Sequence, residues 1–189
     1  MDLKTIARQA ARAALDSVQP ERLVAESIVR EGSRLIINGE IFELEASSTI
    51  RLISCGKAGF PLAASLLPMI EDKLAAGVVT GVKEYEEKDR IVYFPAAHPL
   101  PDEWSLRAGQ KASELALITS HRDLLLLLIS GGGSAHLCLP ADGVSLEDKR
   151  TVTRLLLQAG ADIHQLNTVR KHISKIKGGR LLEATWPGK

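Results

Sequence analysis

The sequence predicts an α/β fold, a parallel sheet with helices on both faces. Two observations carry this. Apolar runs of strand length at residues 50–55, 77–82, 90–94 and 123–130 alternate with segments of helical periodicity. Two of these runs end in glycine-rich turns, Gly56-Lys57-Ala58-Gly59 and Ser130-Gly131-Gly132-Gly133-Ser134, where a strand gives way to a helix. In open parallel sheets, ligands bind beyond the carboxyl ends of the strands, so these turns are also where function is sought.

Each element follows in order. Residues 2–17 set Leu3, Ile6, Ala7, Ala10 and Ala14 at helical spacing, and the stretch 16–20 ends that amphipathic helix. A second helix is expected from Glu21 to about Arg30. Leu35-Ile36-Ile37 and Ile41-Phe42-Glu43-Leu44 flank Asn38-Gly39, a dipeptide that takes positive φ cheaply, which predicts a tight β-hairpin. Residues 1–48 thus read as a helical and hairpin lead-in, not a separate domain, to an α/β core over 49–189. After the strand at 50–55 a helix runs to about Leu74. Short strands follow at 77–82 and 90–94. The stretch Pro95-Ala96-Ala97-His98-Pro99-Leu100-Pro101 excludes helix and forms an exposed loop. Asp102 caps a helix to about Thr119. Residues 123–130 are apolar enough for the central strand, buried on both faces. Ser145-Leu146-Glu147-Asp148 is a capping box with Asp in place of the usual Glu, and its helix stops at Gly160. Asp162-Ile163-His164-Gln165 opens another helix toward Lys177. Gly178-Gly179 breaks it, and a last short helix starts near Arg180. The sequence then stops at Trp186-Pro187-Gly188-Lys189 with no following strand, which reads as truncation.

Composition bounds the partners. Hydrophobic residues make up 45% and charged residues 25%, as in soluble globular proteins. A net charge of +1 and 4% aromatic residues give no reason to expect nucleic acid or a membrane. Cys55 and Cys138 lie far apart without metal-ligand spacing, consistent with a reduced cytoplasmic protein. Residues 1–15 are too charged for a signal peptide, and the longest apolar run, 124–129, is too short to span a bilayer.

Several residues could carry chemistry. Consecutive glycines let the backbone turn sharply and expose several N–H groups, so Gly131, Gly132 and Gly133, with the Ser134 hydroxyl, form either an anion nest or a bare strand–helix turn. The spacing matches neither a Walker A loop nor the dinucleotide fingerprint. Lys57, between two glycines at a strand end, either reaches a carboxylate or phosphate as a point charge or is a solvated turn lysine. His98 either orients a substrate hydroxyl, or accepts its proton, or packs its loop. Asn167, Arg170 and Lys171 share one helix face by the i, i+3, i+4 rule; a basic helix facing a glycine nest would hold polyphosphate, whereas most such faces are merely solvated. His136 and Cys138 would point apart on a helix, which argues against a Cys–His pair. No helix carries metal ligands at a recognisable spacing.

Taken together, Gly56-Lys57-Ala58, His98-Pro99-Leu100-Pro101-Asp102, Ser130-Gly131-Gly132-Gly133-Ser134-Ala135, Gly160-Ala161-Asp162-Ile163 and Asn167-Thr168-Val169-Arg170-Lys171-His172, with Lys177-Gly178-Gly179-Arg180, resemble the glycerate 2-kinases of the MOFRL type. The resemblance implies a Rossmann-like domain, with the active site in a cleft against a C-terminal domain. It implies transfer of the γ-phosphoryl of ATP, with Mg²⁺, to the 2-hydroxyl of D-glycerate. Lys57 and Arg170 would then be catalytic. Gly131, Gly132, Gly133 and Ser134 would cradle phosphate, and Asn167, Lys171 and His98 would face the same cleft. His136 stands where the family commonly has an apolar residue and is assigned no role. Family members are longer, with an acidic segment that is the expected place for Mg²⁺ ligands, so the 189-residue chain alone is expected to be incomplete as a kinase. Two other readings are a hydroxypyruvate reductase, against which the missing dinucleotide fingerprint counts, and a non-catalytic anion- or nucleotide-binding domain. An exposed sheet edge would favour a homodimer.

Overall fold

Local chemistry sets most element boundaries in the computed structural model, which describes residues 2–82 and 89–189. Met1, where the reading of a leader began, lies outside the described residues. Helix α1 (Leu3–Ser17) starts at Asp2, whose carboxylate accepts the Thr5 N–H at 2.9 Å. It buries none of its residues. Helix α2 (Pro20–Ser27) opens on a proline already set for a first turn and ends at Ser27, not near Arg30. Strand β1 (Ile28–Glu31) follows at once and pairs antiparallel with β2 (Arg34–Ile37) across a turn led by Gly32. Two β-branched residues, Ile28 and Val29, favour the strand, and pairing lets Ile28 bury beside Val24. Strand β3 (Glu40–Glu43) completes the hairpin, with Asn38 at φ 48° and Gly39 at φ 87° as a type I′ turn needs.

The main sheet holds β4 (Ile50–Cys55), β5 (Leu74–Gly81), β6 (Ile91–Pro95) and β7 (Leu124–Ile129) in the order β6-β5-β4-β7, with every neighbouring pair parallel. Helix α3 (Gly59–Ile70) joins β4 to β5, and α4 (Glu103–Leu117) joins β6 to β7. Two boundaries differ from expectation. The helix after β4 stops at Ile70 because Lys73 must meet the sheet: its carbonyl accepts the Ile50 N–H at 2.8 Å, so β5 begins at Leu74. The leucine run suits burial on both faces, yet β7 is an edge strand, with Leu127 and Ile129 exposed. Strand order gives the centre to β4 and β5.

Alternation along the strands divides the interior in two. Leu52, Val79 and Leu126 face α3, with Val24 of α2 and Leu35 of the hairpin, so the lead-in shares a core with the sheet. Ile53, Cys55 and Val78 face α4 and Leu181 of a short final helix over Arg180–Thr185. At the amino end of the sheet, Asp123 accepts bonds from Thr49, Ser120 and Arg51, the last at 2.8 Å.

Three further helices complete the chain before that last one: α5 (Gly133–His136), α6 (Leu146–Gln158) and α7 (Ile163–His172). Ser145 and Asp162 cap α6 and α7 in reciprocal boxes with Asp148 and Gln165. α7 ends at His172 and does not reach Lys177. The chain peels away there to pair with the segment after α5: the Lys175 N–H donates to Leu139 O at 3.0 Å and the Ala141 N–H to Ile173 O at 3.2 Å. What positions the site is the sheet order, in which successive strands add on one side of β4 and β7 on the other. That reversal opens a crevice beyond the carboxyl ends of β4 and β7.

Candidate active site

At that crevice the two glycine-rich turns interlock. Gly56 sits at φ 105°, and a Cβ there would collide with the Oγ and carbonyl of Ser130, so only glycine permits this approach. The Lys57 N–H donates to Gly131 O at 2.8 Å. Ser130 Oγ accepts the Ala58 N–H at 2.9 Å and donates to Cys55 O at 3.1 Å. Backbone bonds thus fix the base of Lys57, while its side chain is exposed and ion-pairs with no described residue.

Gly132 gathers the next groups. It is left-handed, at φ 91°, and a Cβ on it would lie 2.9 Å from His98 Cδ2 and 3.4 Å from Lys57 Cγ. His98 and Lys57 therefore close over this glycine. The Gly133 N–H is used by Ser130 O at 3.1 Å, whereas the N–H groups of Gly131, Gly132 and Ser134 bond to no described residue. Free N–H groups around a left-handed glycine are the makings of an anion nest.

A cavity of about 470 Å³ opens beside the nest. Its polar wall includes His98, Gly132, Ser134, Asn167, Arg154 and Arg170; Leu100, Leu157, Ile163 and Leu166 supply an apolar wall. The 95–101 loop is anchored by Arg150, whose Nε donates to Pro101 O at 2.7 Å. Arg170 is half-buried with no carboxylate partner among the described residues, and burial lowers its pKa. An uncompensated, partly desolvated guanidinium beside free N–H groups suits an anion.

Not every candidate from the sequence reaches this cavity. Lys171 lies about 100° around the helix from Arg170, beyond the face that Ile163, Asn167 and Arg170 present. Its side chain runs against the Gly178 turn, and its carbonyl accepts a bond from Arg180 at 2.7 Å. Gly131 is exposed at the rim, and Gly133 is buried against Cys55. Two lysines nearby are structural clamps: Lys149 Nζ donates to Ile173 O at 2.9 Å and Lys177 Nζ to Leu137 O at 2.8 Å. Burial, helped by Lys149 and Arg170, pushes the Lys177 pKa down to about 8. Burial also pushes the Cys55 thiol up to about 11 and raises that of Cys138, so neither is a ready nucleophile.

Sequence reasoning missed Thr80 and assigned nothing to His136. The Gly56 N–H donates to Thr80 Oγ1 at 3.2 Å, and Thr80 Oγ1 in turn lies 3.2 Å from His136 Nδ1. Thr80 lies one residue before the end of β5, so the rule that ligands gather at carboxyl ends was the available signal; nothing in the string Gly77-Val78-Val79-Thr80 marks it. Among the described residues no group of three or more His, Cys, Asp or Glu could hold a metal ion, and no helix is long and apolar enough to cross a membrane.

Known proteins are similar to this chain in sequence and fold. The chain is 38% identical over 184 residues to a glycerate 2-kinase of Pyrococcus horikoshii, a match that covers 96% of this chain and 40% of that one. It is 37% identical over 202 aligned positions to a glycerate kinase of Danio rerio, covering 99% of this chain and 40% of the other. The crystal structure of a glycerate kinase from Thermotoga maritima superposes with a TM-score of 0.79 at 33% identity, over 99% of this chain and 42% of that one. The chain thus spans about two fifths of the length of the curated relatives it matches. A family profile, "Domain of unknown function (DUF4147)", matches residues 6–189, a span that includes the sheet, both glycine turns and the cavity. With that match, and with glycerate kinases as its homologues, the chain belongs to the DUF4147 family.

Proposed function

We propose that this crevice is part of the active site of a glycerate 2-kinase, which moves the γ-phosphoryl of ATP to the 2-hydroxyl of D-glycerate. The observation that carries the reading is one cavity that collects His98, Ser134, Asn167 and Arg170 beside Gly132, with N–H groups and a guanidinium that have no partner among the described residues. Phosphoryl transfer asks a protein for positioning and for positive charge around the equatorial oxygens, and these residues offer both. The donor set fits the phosphates of ATP, which supplies the group transferred. Gly131, Gly132 and Ser134 would donate to its oxygens and Arg170 would face the transferring charge. Lys57 would hold the glycerate carboxylate or the same phosphate, and His98, closed over Gly132, would orient the 2-hydroxyl or take its proton. No described cluster of carboxylates fits Mg²⁺.

The test is a turnover assay with ATP, D-glycerate and MgCl₂, read with a coupling enzyme that accepts 2-phosphoglycerate and not its 3-isomer. It uses this chain and a chimera that adds the remaining part of the Pyrococcus horikoshii relative. The chimera is expected to form 2-phosphoglycerate. A folded chimera that forms no phosphoglycerate and binds neither ATP nor pyrophosphate would remove the proposal.

A further inference from the structure

We infer that His136 is a positioning residue of the candidate active site: through Thr80 it fixes the Gly56 turn that presents Lys57, and its ring backs His98. The claim rests on the kinase reading only for what Lys57 and His98 do. The imidazole is fully buried beneath the crevice and touches three parts of it. Its Nδ1 lies 3.2 Å from Thr80 Oγ1, itself buried, which accepts the Gly56 N–H. Its backbone N–H donates to Gly132 O at 3.1 Å, tying it to the nest. Its ring meets His98 edge-on, with centroids 6.3 Å apart.

The bonding assigns a tautomer. Thr80 Oγ1 takes the Gly56 N–H on one lone pair and has no other acceptor for its own proton among the described residues, so that proton goes to Nδ1. His136 then carries its hydrogen on Nε2, a buried atom with no partner among the described residues. An apolar side chain would avoid that unpaired donor, so its presence calls for a compensating role, and the relay to Gly56 is one. Charge around the ring favours the neutral form. Burial acts first, then His98 and Lys57, against the opposing pull of Asp102, and the imidazole pKa lies below its ordinary value. A second proton, on Nδ1, would leave the Thr80 hydroxyl without an acceptor and set a buried positive charge near Lys57.

The test uses the whole chain, inorganic pyrophosphate as the probe, and His136→Leu, His136→Asn and Thr80→Val. Asparagine keeps an acceptor where Nδ1 stood; leucine keeps only bulk. Nitrogen NMR of the imidazole should show a neutral ring protonated on Nε2 at neutral pH. His136→Leu and Thr80→Val should each weaken pyrophosphate binding about tenfold, the double variant no further, and His136→Asn within about threefold of the parent. An Nδ1–H tautomer, additive effects, or a lowered Tm with unchanged affinity would overturn the inference. If the parent chain binds no pyrophosphate, the kinase reading is decided in the chimera. The positioning claim is then decided by the tautomer and by whether His136→Leu shifts the His98 ring and Lys57 Nζ signals while His136→Asn restores them.

Discussion

Strand β7 carries polar groups at both ends, and the two ends treat them differently. Before its first residue, Asp123 is buried and accepts bonds from Thr49, Ser120 and Arg51. Burial alone would raise its pKa, but those bonds outweigh it and hold the carboxyl well below the usual carboxylate range. After its last residue, Ser130 and the glycines meet Lys57, His98 and Arg170, and here Lys57 and Arg170 ion-pair with no described residue, and N–H groups of the turn bond to none. A polar group whose partners are all within the chain contributes to the fold; one left without them is available to a ligand. The amino end is therefore expected to answer to stability measurements and the carboxyl end to binding and turnover.

Asp123→Ala gives the largest stability effect. It leaves the Arg51 guanidinium buried without its carboxylate, and breaking such a pair costs about 3–5 kcal/mol. Urea unfolding reads this, and pyrophosphate affinity of the folded fraction should not change. A loss below about 1 kcal/mol would mean that this end is not the fold's anchor. The same pair predicts acid sensitivity. A folded pKa below the unfolded value adds stability above about pH 4, lost as pH falls toward the folded value, and the alanine variant should lack that loss.

Arg170→Ala and Lys57→Ala in the chimera should show the reverse. On the proposed reading each removes positive charge from around the transferring phosphoryl, which would cost roughly 100- to 1,000-fold in kcat. Neither side chain has an acidic partner among the described residues, so Tm should move by no more than a few degrees. A large drop in Tm with normal turnover per folded molecule would erase the contrast between the two ends. Gly132→Ala tests the meeting point. A side chain at φ 91° is strained by roughly 1–3 kcal/mol, and its Cβ would press on His98, so both readouts should fall together.

The sequence showed some of this contrast and hid the rest, for physical reasons. Local signals were legible: the Asn38-Gly39 turn, the capping boxes at Ser145 and Asp162, and the two glycine turns at strand ends. Boundaries set by tertiary pairing were not. Ile28–Glu31 became a strand because β2 was there to meet it, and α7 stopped at His172 because residues 173–175 pair with the segment at 139–141. The site followed the same rule. Asn167 and Arg170 were placed by periodicity, but that spacing could not show Lys171 turning to the Gly178 side. Thr80 and His136 are 56 positions apart, and only the fold makes them neighbours.

Lys177 gives the smallest expected effect and the finest test, because it lies beneath the carboxyl end yet is used as a clamp. Burial, Lys149 and Arg170 lower its pKa from 10.5 to about 8. Between those values the unfolded chain holds a proton that the folded chain has shed, so stability rises with pH across that window and is level below it. The slope can reach about 1.4 kcal/mol per pH unit, less where solvent reaches the amine. Lys177→Met removes the titration, so the stability difference between parent and variant should climb from pH 8 to pH 10. Tyrosines and exposed lysines titrate alike in both proteins and cancel in the difference. A flat difference would show that water reaches Nζ freely, and that the cations under the cavity are solvated like those on the surface. A rising one would show that they share a poorly solvated pocket, where an incoming phosphate would be held most strongly.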